Sequence, residues 1–87
     1  MRASSHEPDL NALGARIREV RHRRGLSQEE LAFRAKLDRS YVGGVERGER
    51  NLSFVNLCRL TRALGVSLEE IFKQFGDHNG KRNNKGR

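Results

Sequence analysis

Gly25-Leu26-Ser27-Gln28-Glu29-Glu30-Leu31-Ala32-Phe33-Arg34-Ala35-Lys36-Leu37-Asp38-Arg39-Ser40-Tyr41-Val42 is the stretch on which the fold turns. Gly25 sits where a preceding helix would end in a left-handed residue. Ser27 offers an N-cap, and Glu30 three residues later completes a capping box, so a helix is predicted over Gln28–Ala35. Only Lys36 and Leu37 then remain before Asp38, the predicted cap of a second short helix, Arg39–Arg47, which stops at Gly48.

The same punctuation continues on both sides. Upstream, Leu10, Leu13, Ile17 and Val20 recur at helical spacing, so Asp9–Arg24 reads as helix 1. Downstream, Ser53 caps a helix over Phe54–Leu64 that ends at Gly65. Ser67 with Glu70 forms a second capping box for Leu68–Phe75, closed by Gly76. Each predicted N-cap is preceded by an apolar residue paired with another at the fourth helical position. The pairs are Leu26 with Leu31, Leu37 with Val42, Leu52 with Leu57, and Val66 with Ile71. This hydrophobic staple sets the angle at which the chain enters each helix. No strand-like alternation occurs, so the expected fold class is all-α, with five helices in one compact domain over residues 9–75. The expected core is Leu13, Ile17, Val20, Leu31, Ala32, Ala35, Leu37, Val42, Val45, Leu57, Leu60, Leu64 and Ile71. Residues 1–8 are expected to form a flexible N-terminus. Residues 76–87, basic, Asn-rich and without an apolar side chain, are expected to form a disordered tail.

Composition narrows the function. In 87 residues, Lys and Arg total 18 against 11 acids, a formal charge of +7, and only four of those cations are lysine. Arginine suits forked contacts with phosphate and guanine. A basic balance also fits a merely soluble basic protein or a binder of anionic lipid, so charge does not decide alone. Cys58 is the single cysteine, which excludes an internal disulfide and fits a reducing cytoplasm. There is no apolar run of membrane-spanning length, and Met1–Pro8 lacks the apolar stretch of a signal peptide. His6, His22 and His78 have no metal-ligand spacing to one another or to Cys58. No phosphate-cradling glycine motif is present, and Ser27 is explained as a cap. No enzyme, metal, cofactor or small-molecule ligand is expected.

Two short helices joined this tightly, the second rich in polar side chains, describe a helix-turn-helix. A helix fits the major groove of duplex DNA, where residues near its start reach base edges while the preceding helix spans the backbone. Arg39, at the start, can grip guanine with two hydrogen bonds; Ser40 and Tyr41 can donate hydroxyls to phosphate or base. Tyr41 also reads as a partly buried residue with its hydroxyl in water. Gln28 and the free N–H groups beside it can hold a phosphate oxygen. Arg47, Arg50 and Asn51 lie where the chain can follow the backbone, although Arg47 also suits the helix dipole. Gly43 and Gly44 are costly in mid-helix, about 1 kcal/mol each. They read either as close approach of the helix to DNA or as a weak helix that orders on binding.

The run Gly25-Leu26-Ser27-Gln28-Glu29-Glu30-Leu31-Ala32 resembles the start of the DNA-binding module of lambda-repressor-like (Xre-type) regulators. Val45-Glu46-Arg47-Gly48 and Leu57–Ser67, with its Leu-Gly-Val-Ser ending, share the resemblance. It covers about Leu10 to Phe75. Within that family, Asp38-Arg39-Ser40-Tyr41-Val42 and Glu46-Arg47-Gly48-Glu49-Arg50-Asn51 look most like the controller proteins of restriction–modification systems. The resemblance implies a sequence-specific transcription regulator that binds a near-palindromic operator as a homodimer. It implies the phosphate role for Gln28, and a salt bridge between Glu46 and Arg21. The alternative on the same fold is an antitoxin that binds a toxin protein; a nonspecific nucleic-acid binder is a third reading. Dimerisation is expected through Val55 of helix 4 and Leu68, Phe72 and Phe75 of helix 5, with Phe72 the anchor, unless these residues simply close the monomer core. Cys58 reads as a small buried apolar side chain.

Overall fold

A computed structural model describes residues 9–73. The expectations for residues 1–8, Phe75, Gly76 and the tail lie outside the described residues. Four helices are α1 (Leu10–Arg23), α2 (Gln28–Ala35), α3 (Arg39–Glu46) and α4 (Phe54–Leu64). A fifth, α5, occupies residues 68–73 of the described part, and no strand occurs among the described residues.

The caps explain most boundaries. Ser27 Oγ accepts from the Glu30 N–H at 2.9 Å while Glu30 Oε1 accepts from the Ser27 N–H at 2.8 Å, the complete capping box. Ser53 Oγ accepts from Asn56 N at 3.1 Å. Three expectations need correction. Asp9 is the N-cap of α1, its carboxylate accepting from Ala12 N at 2.8 Å, and not the first helical residue. Asp38 occupies the N-cap position of α3 but makes no side-chain capping bond; exposed to water, its carboxylate is solvated without one. Ser67 Oγ does accept from Glu70 N at 3.0 Å, yet Glu70 turns its carboxylate toward Arg16, so that box is half made.

All four longer helices end alike. In α1 the Gly25 N–H reaches His22 O at 3.0 Å and the Leu26 N–H reaches Arg21 O at 3.1 Å, the paired bonds of a Schellman turn. Gly48 and Gly65 do the same after α3 and α4, each at a positive φ near 75° (77° and 75°). After α2 the left-handed position belongs to Lys36, at φ 61°. The expected end of α3 moves back by one residue, with Arg47 as its C-cap.

α2 packs against both α3 and α4, and α1 packs against α3. Ile17, Leu31, Val42, Leu60 and Ile71 are wholly buried where these helices meet. Each such side chain contributes about 1.5–3 kcal/mol relative to exposure. Leu26, counted from the sequence only as a staple residue, joins the core, whereas Leu13 and Leu37 pack at its margin. α1 crosses α3 closely because residue 14 is glycine. A Cβ there would collide with the backbone of Val45 and Glu46.

Two guanidinium groups of α1 are buried with this core. Arg16 donates to the carbonyls of Glu70 (2.8 Å) and Ile71 (3.2 Å), tying α5 to α1. Arg21 faces the other way, toward α3.

Candidate nucleic-acid interface

α3 presents its first turn outward: Arg39 and Ser40 are exposed. Tyr41 is half-buried, and its hydroxyl neither lies free nor faces only water. It donates to Asn51 O at 3.2 Å and accepts from Asn56 Nδ2 at 3.1 Å, binding α3 to the segment before α4 and to α4 itself. Asn56 was not anticipated, because nothing in its local sequence marks it as a partner of residue 41.

Beside α3 stands the start of α2. Gln28 is half-buried, and its Nε2 donates to Glu46 Oε1 at 3.0 Å. Glu46 is itself buried and meets Arg21 in a forked pair, Nε to Oε2 at 2.6 Å and Nη2 to Oε1 at 3.0 Å. Arg21 Nη1 donates to Leu26 O at 2.9 Å. Three donors therefore converge on one buried carboxylate, which satisfies its charge. The arrangement joins α1, α2 and α3 directly behind the outward face. Within it the Gln28 side chain has one orientation, with one amide hydrogen engaged and one left over.

Gly43 and Gly44 are buried, and the chain's own side chains occupy the space beside them. A Cβ at 43 would lie 3.1 Å from Arg47 Nη1 and 3.5 Å from Gln28 Oε1. At 44 it would lie 2.7 Å from Arg50 Cγ. Arg47, Arg50 and Asn51 are exposed. Arg47 pairs with Glu49 at 3.1 Å, and the guanidinium carbon of Arg50 stands 5.4 Å from the centroid of the Tyr41 ring. The structure thus gathers Gln28, Arg39, Ser40, Tyr41, Gly43, Gly44, Arg47, Arg50 and Asn51 around α3 and its two ends.

The residues expected to form a dimer interface divide. Val55 is exposed on α4, next to Phe54, also exposed and not anticipated. Leu68 and Phe72 are partly buried against the monomer core. Cys58 is half-buried, not enclosed as the sequence suggested, because its side of α4 lies at the edge of the core. Phe33 on α2 is 84% exposed, and a concavity between α2 and α4 is lined by Arg34, Lys36, Arg59 and Arg62 over Ala35 and Ala63. No cluster of metal-ligating side chains exists among the described residues, and none of their helices is long and apolar enough to cross a membrane.

A helix-turn-helix family model matches residues 17–71. The control protein C.MunI from Mycoplasma sp is 40% identical over 63 residues, covering 71% of this chain and 85% of C.MunI. Among solved structures, the restriction-modification controller protein C.AhdI from Aeromonas hydrophila matches with a TM-score of 0.71 at 57% identity, covering 72% of this chain and 96% of that one. The controller protein C.Esp1396I, solved as a tetramer in complex with its natural 35 base-pair operator, matches with a TM-score of 0.73 at 34% identity, covering 78% and 90%.

Proposed function

Because this chain belongs to the helix-turn-helix family, among the restriction-modification controller proteins, we propose that it regulates transcription by binding a near-palindromic DNA operator as a homodimer. The observation that carries this reading is the outward first turn of α3, with Arg39 and Ser40 exposed and the start of α2 held beside it through Gln28. In this reading α3 enters the major groove and Arg39 grips a guanine edge with two hydrogen bonds. Ser40 donates its hydroxyl to a phosphate or base beside it. The free N–H groups of the first turn of α2, with the unengaged amide hydrogen of Gln28, take a phosphate oxygen. Arg47, Arg50 and Asn51 follow the backbone beyond the groove.

A second copy places a second α3 about one helical turn, roughly 34 Å, away along the duplex. Val55 and Phe54 of α4 supply exposed apolar surface for that pairing, together with the partly buried Phe72 and Leu68 of α5. The reading assigns no catalytic step, metal or cofactor, and it places the protein in the cytoplasm, where the lone thiol of Cys58 stays reduced. The antitoxin alternative draws no support from C.MunI, C.AhdI or C.Esp1396I, which are control or restriction-modification controller proteins.

The test is selection of duplexes from a randomised pool by the full chain, followed by footprinting of the enriched sequence. A two-fold symmetric site protected on both half-sites is expected. Arg39→Ala should cost about 1–3 kcal/mol of binding and relax the preference at one position. A pool that remains random overturns the reading. For the interface, Val55→Asp and Phe72→Asp should sediment as monomers; dimers that persist in both would remove α4 and α5 from the contact.

A further inference from the structure

Arg50 lies beyond the end of α3, in an exposed segment where a long cation would ordinarily sample many rotamers. Here two features confine it. Its side-chain stem crosses bare backbone at Gly44, where a Cβ would stand 2.7 Å from Cγ, 3.4 Å from Nε and 3.5 Å from Cδ. Its guanidinium stands over the ring of Tyr41, 5.4 Å from the centroid. That ring is in turn fixed, because its hydroxyl bridges Asn51 O and Asn56 Nδ2 at 3.2 and 3.1 Å. Cation and ring attract through the ring quadrupole, an interaction that leaves the outward N–H groups of Arg50 available.

We propose that Tyr41 and Gly44 are positioning residues that hold Arg50 aligned for a phosphate of the bound duplex. This rests on the DNA-binding reading above and adds how one of its contacts is organised. Gly44 supplies the space that the Arg50 stem needs, and Tyr41 supplies the surface on which the guanidinium rests. The glycine weakens α3 as a helix and gains an ordered cation in return. Tyr41 then acts through Arg50, with its own hydroxyl committed to Asn51 and Asn56.

Gly44→Ala separates this from a purely structural role, because stability and binding should move in opposite directions. Alanine favours the helix, and the three nearest atoms it would meet all belong to one exposed side chain, which can shift. The thermal midpoint should hold or rise. Affinity for the duplex enriched by the parent chain should fall about tenfold or more, the loss of one charge-assisted contact. The slope of log affinity against log salt should shrink by about 0.9, the signature of one phosphate. Arg50→Ala should do the same, and the double variant should bind no worse than Arg50→Ala alone. In a Tyr41→Phe background, which keeps the ring but removes its hydroxyl tethers, Arg50→Ala should retain most of its penalty; in a Tyr41→Leu background that penalty should vanish. Parental affinity and salt slope in Gly44→Ala, additive losses in the double variant, or an undiminished Arg50 penalty with Leu at 41 would each overturn the proposal. A parent chain that enriches no duplex would instead defeat the DNA-binding reading itself, so the two failures are distinct.

Discussion

Arg16 and Arg21 lie on the same helix, are buried to the same degree (8% and 7% exposed) and use their guanidinium groups differently. Arg21 meets a carboxylate that is as buried as itself, and that carboxylate also holds Gln28. Arg16 donates chiefly to backbone carbonyls of α5, with its nearby acids, Glu19 and Glu70, at the surface. The first is a closed ionic unit whose members depend on one another. The second is a clamp on neutral carbonyls, with no buried carboxylate opposite it. Equal burial thus conceals unequal consequences of loss, and it divides the molecule into an α2–α3 half organised by Arg21 and an α5 half organised by Arg16.

The largest expected effect comes from opening the closed unit. Glu46→Ala leaves Arg21 buried without its counter-charge and should cost about 3–5 kcal/mol in urea unfolding. That is much of the stability of a domain this small. A loss below about 1 kcal/mol would show that water reaches Arg21 and that the two arginines are alike. Arg16→Met keeps the apolar stem and should cost about 1–3 kcal/mol for the unsatisfied carbonyls. Hydrogen exchange should then quicken in residues 68–73 well before it does in α3; equal acceleration in both would erase the division. Gln28→Ala removes one donor of the three to Glu46 and should cost about 1 kcal/mol of stability. It should weaken binding to all duplexes similarly, leaving base preference unchanged.

The smallest effect concerns Glu30 in the capping box. The Ser27 backbone N–H, then its hydroxyl, hold the Glu30 carboxyl below its ordinary value, against a smaller opposing effect of desolvation. A folded value lower than the unfolded one stabilises the fold at pH above the ordinary glutamate range, and this is lost as pH falls through the folded value. Thermal midpoints followed from neutral pH to below about pH 4 should therefore decline more steeply in the parent than in Glu30→Gln, which keeps the box without titrating. Parallel declines would mean that the box does not contribute to the acid limb.

The local devices were legible from the sequence because they are local. Ser27 with Glu30, Ser53, and the glycines at 25, 48 and 65 act within a few residues of themselves, and their spacing declares them. Asp38 has the right type at the right place, but hydration competes with capping and leaves no trace in the spacing. The candidate interface was legible as a set of positions around α3, not as a mechanism. Gln28 with Glu46, Arg50 with Tyr41, and Arg16 with the carbonyls of α5 join residues on different elements. Such pairs exist only once the helices have packed. The meeting of Arg21 with Glu46 came from the family resemblance, since no periodicity relates residues 25 apart in sequence. Gly43 and Gly44 show the limit most plainly. A missing side chain signals that space is needed, and only the fold shows that Gln28, Arg47 and Arg50 fill it.

Lys36 completes the account of how this chain turns from one helix into the next. Three exits are closed by glycine, while the exit between the two helices of the motif is closed by a lysine in the same left-handed geometry. A branched-off side chain there carries about 1–2 kcal/mol of steric cost that glycine would not. The hinge of the motif is therefore the least relaxed of the four corners. It is also the one that cannot loosen into many shapes when the chain unfolds and refolds, because lysine restricts the unfolded backbone more than glycine does. A corner held this way leaves the chain between α2 and α3 fewer alternatives to lose on folding than a glycine corner would.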